Sequence, residues 1–388
     1  MKIVVDENIP QAREAFESFG ELIFLNGREI TNKVLRDADV LLVRAVTKVD
    51  EELLRRTKVK FVATVTSGTD HVDINYLKKN KINFADASGC NSYSVAEFVI
   101  SAIAHIFSKN NFPFQGKTIG VIGVGNIGSK VVRFADALGF DVLMNDPPLQ
   151  RTLGSQNFVS LDDILQCNII TLHTPLNLYG RDKTFHLIDE EKLNRIKSGI
   201  MLINTSRGEV VDNLALKRRL QTKNDLITIL DVWEREPAID YKLLEKIDIG
   251  TAHIAGYSLE GKVKGTEMVY KKFCEFLSTK TPGNKLSRTV NEWEPKYSSI
   301  ADSIISIKEE NNFEKMLNEI IKQIYDIKTD DKLLREGIKL EKQNQSKHFD
   351  ELRKNYCARR EFNNYTVKLN FTDEETKRKL KALRFKVI

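Results

Sequence analysis

Arg207, Glu236 and His253 stand in the segments Asn204-Thr205-Ser206-Arg207-Gly208, Asp231-Val232-Trp233-Glu234-Arg235-Glu236-Pro237 and Ala252-His253-Ile254-Ala255-Gly256-Tyr257. A planar cation, a carboxylate and an imidazole brought together from separate strand ends could oxidise a 2-hydroxy acid. Arg207 can grip a carboxylate bidentately and polarise the C2 oxygen. His253 can take the hydroxyl proton as hydride leaves C2. Glu236 can hold the other imidazole N–H and favour the charged ring. Taken singly, each has a plainer reading: an Arg beside Gly is usually a surface cation, Glu-Pro usually starts a turn, and a lone His is usually structural. His71, His105, His173, His186 and His348 are assigned no proton-transfer role. No His, Cys or carboxylate spacing suggests zinc, so no metal is expected.

Such an oxidation needs a hydride acceptor, and Gly123-Val124-Gly125-Asn126-Ile127-Gly128 offers it a place. The apolar run Thr118–Ile122 enters this motif, and a helical pattern with Val131, Val132, Ala135 and Leu138 leaves it. In that context Gly123 permits a tight turn, Gly125 lets the backbone approach a pyrophosphate, and Gly128 lets helix and strand pack closely. The helix N-terminus then receives the phosphates. Asp146 lies 21 residues beyond Gly125, at the end of the next strand. It can accept hydrogen bonds from the adenosine ribose and repel a 2′-phosphate, which favours NAD(H) over NADP(H). It can equally start a turn before Pro147 and Pro148.

The elements that must position these groups are legible as alternating strands and helices. Strands are expected at Lys2–Val5, Val40–Val43, Lys60–Thr64, Thr118–Gly123, Asp141–Asn145, Ile169–Thr171, Met201–Asn204 and Ile227–Val232. Helices are expected at Gln11–Phe19, Glu51–Arg55, Ile127–Leu138, Leu161–Leu165, Glu191–Ile196 and Asn213–Leu220. A longer helix, Tyr93–Ser108, joins two such halves. This alternation predicts parallel sheets covered on both faces.

The 388 residues allow two or three domains, and 41% hydrophobic with 29% charged residues excludes a disordered chain. Met1–Pro10 lacks a signal peptide's basic and apolar regions, and the longest apolar stretch, Ser94–Phe107, is too short to cross a bilayer. Cys90, Cys167, Cys274 and Cys357 are widely spaced, as in a reduced, cytoplasmic protein. The net charge of +6 is uneven: residues from 285 onward hold 23 Lys and Arg against 18 Asp and Glu. Those charges are interleaved and no aromatic stacking motif accompanies them, which argues against nucleic-acid binding. Phe313, Met316, Ile320, Ile321, Ile324 and Tyr325 recur at helical spacing, so the tail is expected to be folded. A boundary is expected at Thr281-Pro282-Gly283-Asn284.

GVGNIG, NTSRG, DVWEREP and HIAG, in this order, resemble the D-isomer-specific 2-hydroxyacid dehydrogenases. The resemblance implies an α/β protein with two Rossmann-like, doubly wound parallel-sheet domains. An NAD-binding domain, 93–256, would be inserted into a discontinuous catalytic domain, 1–92 and 257–284. Arg207, Glu236 and His253 take the family's catalytic positions. Gly123, Gly125, Asn126, Ile127, Gly128, Asp146, Thr174, Ser206, Asp231 and Gly256 take cofactor positions, Asp231 near the nicotinamide carboxamide.

The segments VDENIP, LLVRAVTKVD, TSGTDHVD, SGCNSYSVAEFV and HIAGYSLEGKVKGT narrow the likeness to one branch, as do QIYDIKTDD and ELRKNYCARREF in the tail. That branch carries a C-terminal α+β dimerisation domain, here 285–388. It implies a homodimer that oxidises 4-phospho-D-erythronate to 3-hydroxy-2-oxo-4-phosphooxybutanoate with NAD, on the way to pyridoxal 5′-phosphate. Arg44, Ala45, Thr66 and Tyr257 fall on substrate-contacting positions. Ala45 stands where the branch has serine, a hydrogen bond worth about 0.5–1.5 kcal/mol. Ala252 stands where the family usually has proline. Arg44 and Lys48 are the first candidates for the substrate phosphate, although they also suit a solvated charged loop. Arg353, Arg359 or Arg360 is expected to reach a partner's substrate phosphate. Two alternatives stay open: another D-2-hydroxy acid such as 3-phosphoglycerate, against which the tail argues, and an NAD-sensing regulatory protein, which can retain the trio.

Overall fold

The computed structural model describes residues 1–154, 157–280, 293–297, 303–307, 310, 312–357, 359–370 and 373–388. The boundary expected at residues 281–284 lies outside them. The chain divides into two compact units, Met1–Asn91 with Ser258–Ser298, and Ser92–Tyr257 with Ser299–Ile388.

The first unit is built on five parallel strands: β1 (Lys2–Asp6), β2 (Glu21–Leu25), β3 (Val40–Val43), β4 (Phe61–Thr64) and β5 (Asn83–Asp86), in the order β2-β1-β3-β4-β5. The middle strands β3 and β4 are buried at every residue, because apolar side chains fill both faces. On one face, Phe16, Phe19 and Phe61 pack around Phe273 of the helix Leu259–Lys280. The other face buries Val4, Leu41, Val43, Leu54 and Leu77. Strands β2 and β5 escaped the sequence reading: both are edge strands, the apolar run Leu22–Leu25 of β2 is only partly buried, and β5 has no continuous apolar run.

The second unit holds six parallel strands: β6 (Thr118–Ile122), β7 (Asp141–Asn145), β8 (Ile169–Leu172), β9 (Met201–Asn204), β10 (Ile227–Leu230) and β11 (Ile249–Gly250). Their order is β11-β10-β9-β8-β6-β7, so the strand order reverses between β6 and β8. Ligands of open parallel sheets bind outside the carboxyl ends at such a switch point. The register aligns Ile122, Leu172, Asn204, Leu230 and Gly250 in one row, with Asn145 opposite Ile122. The next residue of each strand, from Gly123 through Asp146, His173, Thr205 and Asp231 to Thr251, therefore starts a loop on the same edge.

The joining helix runs from Ser92 to Asn110 and is buried along most of its length. It must be apolar nearly all round because it is enclosed by the helices Gly128–Leu138 and Phe313–Lys322. Beyond it lies a smaller sheet, β12 (Ser303–Ile307), β13 (Tyr365–Leu369) and β14 (Lys386–Val387), ordered β12-β13-β14 and again parallel. Phe362, Val367, Leu380, Leu383 and Phe385 of this region share one core with the joining helix. The architecture is thus two parallel-sheet α/β portions and a smaller C-terminal sheet-and-helix region, as the sequence implied. No described helix is long and apolar enough to cross a membrane.

Within that shared core, Arg384 Nη1 donates to Glu97 Oε1 at 3.0 Å and to Glu361 Oε2 at 2.8 Å. The Phe362 N–H donates to Glu97 Oε2 at 3.1 Å. Burial first, and then the charge of Glu361, push the Glu97 carboxyl well above its ordinary range, against the pull of Arg384, the Phe362 N–H and Arg359. A raised carboxyl keeps its proton in the folded state after the unfolded chain has lost it. Stability therefore falls as pH rises from about the ordinary Glu value of 4.5 through the folded value. Glu97→Gln is expected to flatten this decline in denaturant melts at several pH values. Glu97→Ala leaves the Phe362 N–H without its acceptor and Arg384 with Glu361 alone, and is expected to cost about 1–3 kcal/mol.

Candidate active site

The glycine loop leaves β6 and opens the helix Gly128–Leu138, and two of its glycines answer to a steric constraint. Gly123 has φ of +83°, and a Cβ there would stand 2.8 Å from the His173 carbonyl oxygen. At Gly128 a Cβ would stand 1.9 Å from the Gly123 carbonyl oxygen, so helix and strand could not approach. At Gly125 an added Cβ meets nothing within 4 Å, leaving room above the backbone for a phosphate group. Thr174, past the end of β8, has a buried hydroxyl without a hydrogen-bond partner. Open space at the middle glycine and an orphaned hydroxyl across the switch point fit a dinucleotide.

Asp146 takes the turn-starting role that the sequence allowed and keeps acceptor capacity for the other. As N-cap of the helix Pro147–Leu153 it accepts from the Leu149 N–H at 2.9 Å, and its second oxygen accepts from the Val124 N–H at 2.8 Å. A carboxylate has about four acceptor sites, so two remain for ribose hydroxyls. The His173 imidazole is pushed down to about 3 by burial and sits neutral between the Thr171 and Thr205 hydroxyls, at 3.0 and 3.1 Å.

Beyond β9, Asn204 shapes the turn that presents Arg207. Its side-chain oxygen accepts from the Ser206 N–H and Oγ at 3.0 and 2.7 Å, and its Nδ2 donates to the Arg207 carbonyl at 2.9 Å. Arg207 in turn donates from Nη1 to the Ser206 carbonyl at 2.7 Å, which steadies the guanidinium plane. Ser206 itself is buried.

His253 Nδ1 and Glu236 Oε2 are 2.7 Å apart, and Glu236 Oε1 accepts from the Trp233 N–H at 2.9 Å. Burial works against a charge on Glu236. The His253 charge and hydrogen bond, the Arg353 charge and the Trp233 N–H prevail and hold the carboxyl below its ordinary range. An ionised carboxylate only accepts, so Nδ1 is the donor, and in the neutral ring the lone pair is on Nε2. The His253 side chain is 32% exposed and that of Glu236 18%, so the ring is the accessible member.

His253 lies in the left-handed region, with φ of +55°, and Asp231 holds that turn. The Asp231 carboxylate accepts from Thr251 Oγ1 at 2.6 Å and from the Ile254 and Ala255 N–H groups at 2.7 and 3.0 Å. Sequence reasoning placed Asp231 only beside the cofactor. Here its carboxylate braces the His253 turn from inside, a role that partners 20 to 24 residues away do not advertise. Glu209 was also missed. Burial raises its carboxyl, its own backbone N–H pulls down, the charges of Glu236 and Glu234 add to the rise, and Arg207 offsets part of it.

In the first unit, Ala45 is exposed and Lys48 is paired with Asp50 at 2.8 Å. The Thr66 hydroxyl bonds Thr64 Oγ1 at 2.7 Å and the Gly68 carbonyl at 3.0 Å. The tail arginines differ from expectation. Arg359 and Arg360 are buried in their own chain, Arg360 donating to Asn364 Oδ1 at 2.8 Å. Arg353 interacts with Tyr257 and Glu236 of the same chain, and its Nε is buried without a partner. A guanidinium is expensive to bury, and backbone carbonyls supply what Arg359 needs.

Among the described residues, His186, Asp212 and Glu234 bring ligand-type atoms within 4.8 Å. Glu234 meets Nε2 at 2.8 Å and Asp212 meets Nδ1 at 3.6 Å. The carboxylates face opposite nitrogens of one ring, an arrangement for hydrogen bonding rather than for a shared ion.

Residues 105–255 match the family described as D-isomer specific 2-hydroxyacid dehydrogenase, NAD binding domain. Residues 301–383 match one described as a domain of unknown function. The chain is 42% identical to the erythronate-4-phosphate dehydrogenase of Tolumonas auensis over 97% of both chains. It is 42% identical to that of Hahella chejuensis over 95% of this chain and 94% of that one. Among solved structures it resembles NAD+-bound 3-phosphoglycerate dehydrogenase of Entamoeba histolytica, with TM-score 0.62, 26% identity and coverage of 73% of this chain and 97% of that one. D-lactate dehydrogenase of Aquifex aeolicus, complexed with NAD and lactic acid, gives TM-score 0.59 and 28% identity, covering 72% and 96%.

Proposed function

The chain belongs to the erythronate-4-phosphate dehydrogenase family, and on that premise we propose that Arg207, Glu236 and His253 are its catalytic residues. It is an NAD-dependent oxidoreductase that converts 4-phospho-D-erythronate to 3-hydroxy-2-oxo-4-phosphooxybutanoate, a reaction that feeds pyridoxal 5′-phosphate formation. The observation that carries the residue assignment is the His253–Glu236 pair at 2.7 Å, on the same sheet edge as the glycine loop.

Bound NAD supplies the hydride acceptor. Gly123, Gly125, Asn126, Ile127 and Gly128 hold its pyrophosphate, and Asp146 holds the ribose. Thr174, Ser206, Asp231 and Gly256 line the remainder. Arg207 grips the substrate carboxylate and polarises the C2 oxygen. His253 Nε2 takes the C2 hydroxyl proton, and the ionised Glu236 stabilises the resulting imidazolium through Nδ1–H. We assign Arg44, Ala45, Thr66 and Tyr257 to the substrate. The catalytic domain comprises 1–92 and 257–284, the NAD-binding domain 93–256, and the tail from 285 a dimerisation domain of a cytoplasmic homodimer. The tail's mixed charges suit a polar interface rim. Sedimentation at micromolar concentration should give twice the chain mass, and a monomer there contradicts the dimer.

Asp146→Ala is expected to narrow the preference for NAD over NADP, by weakening NAD and relieving repulsion of the 2′-phosphate. A binding titration in which the parent favours NADP would overturn the ribose assignment. The substrate assignment is tested by following NADH formation with 4-phosphoerythronate, D-erythronate and 3-phosphoglycerate in parallel. The highest kcat/KM should belong to the first, and a clear preference for 3-phosphoglycerate would refute it.

A further inference from the structure

Gly250, the last residue of the outer strand β11, donates its N–H to Asp331 Oδ1 at 2.9 Å. Asp331 belongs to the helix Ile327–Glu336, so the tail covers a strand edge that would otherwise be unpaired. Arg335 of the same helix donates to the Leu244 and Ile247 carbonyls at 2.7 and 2.8 Å. The tail thus fixes the chain leading to β11. It also fixes the chain leaving the catalytic histidine. Arg359 is buried and donates to the Ile254 carbonyl at 3.2 Å, to the Ala255 carbonyl, and to the Ser94 carbonyl at 3.0 Å.

The guanidinium lies 4.5 Å from the Tyr325 ring centroid and touches the Tyr356 hydroxyl at 3.4 Å. The Tyr325 and Tyr356 hydroxyls both donate to Asp330 Oδ2, at 2.9 and 3.1 Å. This buried cation is therefore packed and hydrogen-bonded on several sides, which gives it one position. Ile254 and Ala255 are gripped from two directions, their N–H groups by Asp231 and their carbonyls by Arg359. Between these anchors and Gly250 lies His253, whose left-handed backbone needs support from its surroundings.

We propose that the C-terminal region, through Arg359, is the scaffold of the catalytic turn in its own chain, and that Arg359 is a positioning residue for His253. The proposal rests on the assignment of His253 as the proton acceptor. It gives the segment matched only to a domain of unknown function a task inside each subunit, separate from any role in assembly. The planar fork reaches these three carbonyls from two nitrogens held at a fixed spacing, whereas a lysine ammonium offers its three donors from a single point.

The test uses the full-length protein with Arg359→Ala and Arg359→Lys, with and without added guanidinium ion. Displacing the imidazole by about 1 Å is worth about 10²-fold in rate. Arg359→Ala should lose about that much kcat while its affinity for NAD stays close to the parent's, and guanidinium should restore much of the loss. Arg359→Lys should fall between parent and Ala. Independently of turnover, the proton NMR signal of the His253 Nδ1–H, hydrogen-bonded to Glu236, should broaden or move in the Ala variant and return with guanidinium. A folded Ala variant with parental kcat and an unchanged imidazole signal would overturn the proposal. So would a loss of turnover, NAD affinity and thermal stability together that guanidinium does not reverse. Failure of the underlying catalytic reading would appear elsewhere, as full turnover by His253→Asn with Arg359 intact.

Discussion

Asn in place of His253 is expected to lower turnover by about 10²–10⁴-fold while leaving NAD binding nearly intact. Asn suits the test because it tolerates the left-handed backbone that His253 adopts at φ of +55°. The bonds that shape the turn come from the main chain of Ile254 and Ala255 to Asp231, so they survive the replacement. What disappears is a ring nitrogen able to accept the C2 hydroxyl proton and a charge for Glu236 to stabilise. The measurement is steady-state NADH formation beside a calorimetric NAD titration. Unchanged turnover would remove His253 from the mechanism.

The second large effect concerns Arg207. Arg207→Lys retains the charge but loses the planar fork that binds a carboxylate through two parallel hydrogen bonds. One charged hydrogen bond is worth about 1.5–3 kcal/mol, or about 10- to 100-fold in kcat/KM. Both kcat and the apparent affinity should fall, because Arg207 is assigned to the substrate carboxylate and to the C2 oxygen on which charge develops. The Nη1 bond to the Ser206 carbonyl holds the guanidinium plane, and an ammonium has no plane to hold. Equal kcat/KM for the lysine variant and the parent would contradict the assignment.

The sequence announced what is local and periodic. Strands β3, β7 and β9 were expected at the bounds they have, two of them being continuous apolar runs buried on both faces. The glycine loop was equally plain, since each of its three glycines answers to a turn, a gap or a close approach. Strand β11 was not foreseen, because two residues are too short for any periodicity. The expected strand Ile227–Val232 ends earlier, at Leu230, where Asp231 begins the loop that holds the site.

Within the site, residue types in three short segments pointed to the catalytic pair, and the side chains that orient it stayed hidden. Asp231 and Asn204 act through burial and through hydrogen bonds to distant or irregular backbone, which leave no repeat in the chain. Arg359 shows the limit most clearly. The sequence reading offered it, with Arg353 and Arg360, to a partner's substrate phosphate. The structure turns it inward, because carbonyls of Ser94, Ile254 and Ala255, more than a hundred residues away, satisfy it there.

The central claim is that this chain moves hydride from C2 of a phosphorylated 2-hydroxy acid to NAD while His253 takes the proton. It is tested most directly in a single turnover of the purified protein with NAD and 4-phosphoerythronate carrying deuterium at C2, with the nicotinamide recovered and its mass determined. The predicted result is one deuterium in the reduced nicotinamide, one equivalent of 2-oxo acid, and neither product in the same interval with the His253→Asn protein. Reduced nicotinamide without deuterium, or no reduced nicotinamide from the parent protein, would contradict it.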